Sequence, residues 1–266
     1  DPGHMSPMLY GVLALSGKFT IEELQQFRQW GSVTPGHPEV NFERGVENTS
    51  GPLGQGHTYA VGAAIAAKFL QARLGAEVMS QTIYAYISDG GVQEEISQGA
   101  GRVAGTLGLD NLIMFYDANN VQLSTTVEEV DTEDVQKKYE AWGWKVLHIN
   151  GNDVAQIRAA LTEAKAEKQR PTLIIGDTLM GKGAMGPDQS SYENKVSTHG
   201  QPLTAAGASI AETIKNLGGD PEHPFAVFPE VEALYAKRRA ELEAIMVERR
   251  AVKKAWAEAH PDLSAK

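Results

Sequence analysis

Four short runs of β-type residues dominate the middle of the chain: TIYAYIS (82–88), NLIMFYD (111–117), KVLHIN (145–150) and TLIIGDT (172–178). Between them lie VQEEISQGAGRVAGTLG, EDVQKKYEAWG and DVAQIRAALTEAKAEK, each long enough for a helix. Parallel neighbours need a long return path, which a helix supplies, so strand, crossover and strand repeated this way predict a parallel sheet. The expected class is α/β: a doubly wound, mainly parallel sheet with helices on both faces. In such sheets, ligands bind beyond the carboxyl ends of the strands.

Further elements flank this middle. Residues 58–74 place Ala60, Ala63, Ala64, Ala67 and Leu70 at helical spacing, behind glycines at 51, 54 and 56. A helix is also expected over 208–217, a turn-rich loop over GGDPEHP (218–224), and a charged helix over 229–259. That last helix carries acid and base pairs at helical spacing and reads as solvated, with one packed face and no chemistry.

Bulk properties exclude several roles. At 266 residues and 42% hydrophobic, the chain can bury the core of one large domain. Its net charge of −10 opposes general attraction to nucleic-acid phosphates, so a phosphorylated ligand has to be held by local groups. There is no cysteine, hence no disulfide and no thiolate metal site. No apolar run is long enough to span a bilayer. A soluble cytoplasmic protein, partnering neither nucleic acid nor membrane, is the expectation.

Chemistry concentrates at two strand ends. Asp89, Gly90 and Gly91 follow YAYIS, and Asn119 and Asn120 follow FYDA. Taken alone, Asp89 reads as the cap of a helix starting near Val92, with glycines permitting the tight turn. Adjacent parallel strands, however, would bring both turns to one edge. A carboxylate, an amide oxygen and a backbone carbonyl together make a hard-oxygen set suited to Mg²⁺ or Ca²⁺, with positions left for phosphate or water.

Asp89-Gly90, a spacer of fewer than thirty residues and Asn119 resemble the GDG...N motif of thiamine-diphosphate enzymes, with Ser88 in place of the first glycine. Four more strings, PGHMSPMLY (2–10), FRQWGSVTPGHPE (27–39), GPLGQGHTYAVGAAIA (51–66) and STHGQPL (197–203), resemble transketolases in one order as far as Leu217. The resemblance implies a thiamine-diphosphate-binding fold, with a diphosphate-binding (PP) domain over 1–217. A helical extension over 218–266 would lead toward a pyrimidine-binding domain outside this sequence.

The same resemblance implies roles residue by residue. Asp89 and Asn119 would give side-chain oxygens to Mg²⁺ or Ca²⁺, and Val121 its carbonyl. Gly90 would let the backbone approach the diphosphate, which His4 contacts. His4 also admits reading as a cloning scar in GHM, although SPMLYGVLALSG continues the family pattern. Gly51, Pro52 and Leu53 would lie along the cofactor. His37 would bond the donor sugar near its reacting carbon, and His199 would reach both cofactor phosphate and substrate. These two histidines are the candidates for handling charge on the sugar oxygens. Alone, Glu94 reads as an acid favoured by a helix dipole. By resemblance it joins a carboxylate network linking paired cofactor sites, with Glu95 as the alternative and Gly99 where some relatives have another glutamate. His57 reads as a first-turn helix residue without a catalytic role.

The implied activity is transfer of a two-carbon ketol unit between sugar phosphates, in a homodimer or a split-subunit assembly. Alone, the chain is expected to hold metal and diphosphate but to turn over poorly. Two other readings stand beside it. One is half of another thiamine-diphosphate enzyme, such as a deoxyxylulose-phosphate synthase, against which TPGHPE and GPLGQG weigh. The other is a non-catalytic scaffold, against which Asp89 and Asn119 weigh.

Overall fold

The structure, a computed structural model, describes residues 1–265. Two helices, α1 (Ser6–Leu15) and α2 (Ile21–Gln25), precede a long loop and α3 (Gln55–Leu74). The α/β unit then runs β1 (Ile83–Ser88), α4 (Asp89–Gln93), α5 (Glu95–Thr106), β2 (Leu112–Ala118), α6 (Val135–Ala141), β3 (Lys145–Asn150), α7 (Val154–Ala166) and β4 (Thr172–Asp177). A loop of some thirty residues leads to α8 (Ile210–Asn216), α9 (Pro229–Ala259) and α10 (Pro261–Ser264).

All four expected strands form, in the order β1-β2-β4-β3, and every neighbouring pair is parallel. The path from β2 to β3 passes over the position that β4 later fills. Period-two alternation sorts the strand residues between two cores. Leu112, Met114 and Tyr116 of β2, with Leu173 and Ile175 of β4, pack against Ala60, Val61 and Ala64 of α3, Ala104 of α5 and Tyr139 of α6. Ile113 and Ile174 face the other way, onto Ala160 and Ala164 of α7. Helices on both faces are therefore present. Each fully buried aliphatic side chain contributes about 1.5–3 kcal/mol relative to exposure.

Two glycines are demanded by geometry. Gly54, at φ 82, is the N-terminal boundary of α3, which starts at Gln55 rather than Thr58. A Cβ on Gly105 would fall 1.8 Å from the Trp142 carbonyl oxygen, so α5 meets the turn after α6 only through a glycine.

Two local expectations are corrected. Ser88, not Asp89, caps α4: its side chain accepts from the Gly91 backbone N–H at 3.3 Å, and Asp89 becomes the first helical residue. The serine oxygen takes the orphan donor, which leaves the aspartate carboxylate free for other contacts. Glu94 does not lie within a helical turn either. It is extended (φ −65, ψ 132) and separates α4 from α5. No residue of α9 is fully buried; Val231, Tyr235, Trp256 and Ala257 are half-buried and the rest of the helix is exposed.

Candidate functional site

Register determines what meets at the sheet's carboxyl edge. Ser88 pairs with Asp117, and Ala118 with Asp177, so the turns after β1, β2 and β4 emerge side by side. Together they wall a cavity of about 690 Å³ whose lining includes His4, Leu53, Asp89, Gly90, Glu94, Asn119, Val121 and His199. Glu94 lines it and Glu95 does not. Gly51 and Pro52 are also outside the lining; of that tripeptide only Leu53 reaches the cavity.

Asp89 is buried, and its carboxylate is asymmetric. Oδ1 accepts from the Tyr116 hydroxyl at 2.6 Å, whereas Oδ2 is buried without a hydrogen-bond partner. Burial raises its pKa to about 6, with the Asp117 charge adding to the rise; the Tyr116 hydroxyl and the nearby backbone N–H groups of Asn119 and Asn120, which stand outside hydrogen-bond geometry, act against it. Those N–H groups belong to the second turn, so the two strand ends do meet. Asp117 is itself held by the Thr178 hydroxyl.

The second turn folds back on itself. Asn119 Oδ1 accepts from the Val121 N–H at 3.0 Å, and Asn120 sits at φ 61, in the left-handed region that asparagine tolerates. The Val121 carbonyl faces His199 Nδ1 at 3.1 Å. Both oxygens keep a second lone pair. An unpartnered carboxylate oxygen, an amide oxygen and a carbonyl oxygen around one cavity fit a hard divalent cation, with the cavity open to a phosphorylated ligand. Among the described residues no three His, Cys, Asp or Glu side chains converge. The oxygen set here needs only one carboxylate.

Three histidines gather at the same end. The rings of His4 and His199 stand 5.2 Å apart. Burial lowers the pKa of His4, and the nearby His199, His37 and Arg28 lower it further. His37 does not line the cavity but lies behind it, close enough that a Cβ on Gly3 would fall 2.6 Å from its Cδ2. Its loop is strapped down: the Ser6 hydroxyl donates to the Gly36 carbonyl at 2.7 Å and the Tyr10 hydroxyl to the Pro35 carbonyl at 3.1 Å. Helix α1 thus sets both His4, just before it, and His37.

Sequence reasoning missed Tyr116, Asp117, Thr178 and two glutamines, Gln93 and Gln122, whose buried Nε2 atoms lack partners beside the cavity. For Tyr116 a signal existed. It shares the core face of β2 with Leu112 and Met114, yet carries a hydroxyl, one position before the strand's polar end.

A parallel α/β unit with an oxygen-lined pocket beyond its strand ends defines a class that binds ligands at the carboxyl edge of the sheet. The family model described as "Transketolase, thiamine diphosphate binding domain" matches residues 1–266, and the chain belongs to that family. Transketolase 1 of Pasteurella multocida is 41% identical over 270 residues, covering 99% of this chain and 39% of that protein. A transketolase of Streptococcus pyogenes is 43% identical over 215 residues, covering 79% and 29%. Among solved structures, the transketolase of Leishmania mexicana superposes with a TM-score of 0.90 at 33% identity, over 97% of this chain and 38% of that one. A Pichia stipitis transketolase in complex with sedoheptulose 7-phosphate gives a TM-score of 0.90 at 36% identity, over 99% and 39%. The chain therefore spans about 39% of the length of such relatives.

Proposed function

We propose that this chain is the part of a transketolase that holds the diphosphate of thiamine diphosphate through Mg²⁺ or Ca²⁺. The observation that carries the proposal is the buried, unpartnered Oδ2 of Asp89 in one cavity with Asn119, Val121, His4 and His199. In this reading Asp89, Asn119 and the Val121 carbonyl hold the metal, while Gly90 and His4 lie against the diphosphate. Leu53, with Gly51 and Pro52 behind it, forms the wall along the cofactor.

When bound, the cofactor would supply carbanion and electron-sink chemistry at its thiazolium ring. The chain's own residues orient that group and stabilise charge near it. His199 bridges the second turn and the cavity, and His37 approaches from behind His4. Both carry ring nitrogens that can donate or accept a hydrogen bond at a sugar oxygen. Glu94, at the cavity wall between α4 and α5, is the proposed carboxylate of a link between paired sites. Sugar phosphates are the proposed substrates. Activity is proposed for an assembly that includes a pyrimidine-binding domain, in the same chain or another, with dimerisation completing the site. No helix among the described residues is long and apolar enough to cross a membrane.

The test is calorimetric and needs no turnover. Thiamine diphosphate with Mg²⁺ should raise the melting temperature in proportion to log ligand concentration, since a ligand that binds only the folded state stabilises by mass action. A well-folded sample that ignores both would overturn the proposal. Adding a pyrimidine-binding domain and assaying xylulose 5-phosphate with ribose 5-phosphate then tests the reaction itself.

A further inference from the structure

Among the described residues, Tyr116 is the one side chain that donates a hydrogen bond to the Asp89 carboxylate. It lies at the end of β2, with its ring in the main core and only 6% of its surface exposed. Its partner across the sheet in β1 is Ile87, two residues before Asp89. The strand pairing thereby fixes where its hydroxyl falls. At 2.6 Å from Asp89 Oδ1, the contact has the length of a charge-assisted O–H···O⁻ bond. An ionised carboxylate has no proton to give, so in this contact the phenol hydroxyl is the donor.

We infer that Tyr116 is a positioning residue that holds Oδ1 of Asp89 and so orients this carboxylate to present Oδ2 to the metal. The inference rests on the proposed metal role of Asp89. Its content is geometric. Mg²⁺ requires near-ideal octahedral geometry, whereas Ca²⁺ takes six to eight oxygens and accepts a carboxylate through both of its atoms. A hydroxyl fixed on Oδ1 draws on one lone pair and holds the carboxylate in one orientation, which favours binding through Oδ2 over chelation through both atoms, as Mg²⁺ needs. Removing it frees the carboxylate to turn and to chelate, which Ca²⁺ tolerates and Mg²⁺ does not. Tyr116 therefore weights the site toward the smaller ion, without touching the ion itself.

The experiment compares wild type with Tyr116→Phe by thermal shift, titrating MgCl₂ and, separately, CaCl₂ at fixed saturating thiamine diphosphate. Wild type should respond to metal; if it does not, the metal reading fails before the tyrosine is tested. In Tyr116→Phe the Mg²⁺ half-saturation should rise about tenfold, the lower end of what loss of an outer hydrogen bond to a metal ligand costs. The Ca²⁺ value should move by less. Equal changes for both ions, or none for either, would overturn the inference, because a merely structural tyrosine lowers stability without altering the ratio. Should the phenylalanine variant not fold, 3-fluorotyrosine at 116 retains the hydroxyl. Its fluorine resonance should then move on adding Mg²⁺ with thiamine diphosphate, and an unmoved resonance would likewise overturn the inference.

Discussion

Asp89 and His57 are both buried polar side chains, 3% and 0% exposed, and both carry ring or carboxylate atoms with no hydrogen-bond partner. Their surroundings differ. Asp89 opens on the cavity at the strand ends, while His57, in the first turn of α3, lines none of the four principal cavities. Its ring stacks on Tyr139, centroids 6.3 Å apart and tilted by 17°, and the Tyr139 hydroxyl is unpartnered too. Burial pushes the His57 pKa down to about 3, so it stays neutral, the cheaper state inside a closed core. An unpaired acceptor beside a cavity is a ligand signal. The same deficit in a sealed interior is a cost to stability, and the two should part company under mutation.

The largest effect belongs to Asp89. With ligand at a hundred times its dissociation constant, wild type should gain about 2.7 kcal/mol, and Asp89→Ala should gain nothing. Without ligand the gain from removing a buried, partly unpaired carboxylate is opposed by about 1–3 kcal/mol for the Tyr116 hydroxyl it orphans, so the change in stability should be small beside the lost ligand response. A variant that still responds to metal and cofactor would erase the contrast with His57.

The next effect is on pH. Unfolded His57 takes up a proton near pH 6.5 and the folded form not until about 3, so the unfolded state binds more protons in that window. Stability from this group is fully present above 6.5 and falls with acid, by about 2 kcal/mol between pH 6.5 and 5. Asp89 has the reverse sign. Its folded pKa of about 6 lies above the usual carboxylate value, so its contribution is present at low pH and is lost as pH rises through 6. Denaturation of His57→Leu against wild type isolates the first term: the difference between the two should vary with pH over that range, and a constant difference would contradict it.

Smaller effects sharpen the boundary of the site. Ser6→Ala removes the donor to the Gly36 carbonyl and should cost about 1 kcal/mol in urea denaturation. In the reconstituted assembly it should also depress turnover through His37 while leaving the metal response unchanged. Ser88→Gly should cost only a few tenths of a kcal/mol, because glycine is a tolerable cap, and should keep the full ligand response. If it abolished that response, the serine oxygen would belong to the site rather than to the helix.

The strands were legible because alternation and helix-length spacers are local properties: Leu112, Met114 and Tyr116 face one way and Ile113 the other, as the pattern demands. Asp89, Asn119 and His199 were legible as strings. Glu94 was read as helical, since no local signal marks the extended residue that breaks α4 from α5. The cap was assigned to Asp89 because aspartate and serine compete for that position, and only coordinates show which oxygen reaches Gly91. Gly51 and Pro52 lie next to Leu53 in sequence, yet do not line the cavity that Leu53 reaches.

By itself the sequence determined the α/β class, the four strands and the oxygen-bearing turns, because period, spacing and turn chemistry act over a few residues. The register that sets Ser88 beside Asp117 was decided only by the tertiary structure. So were the hydroxyl of Tyr116 on one oxygen of Asp89 and the approach of His199 to Val121 across 78 positions. Those contacts join segments distant along the chain, and their geometry depends on how whole strands and helices pack rather than on any neighbouring residue.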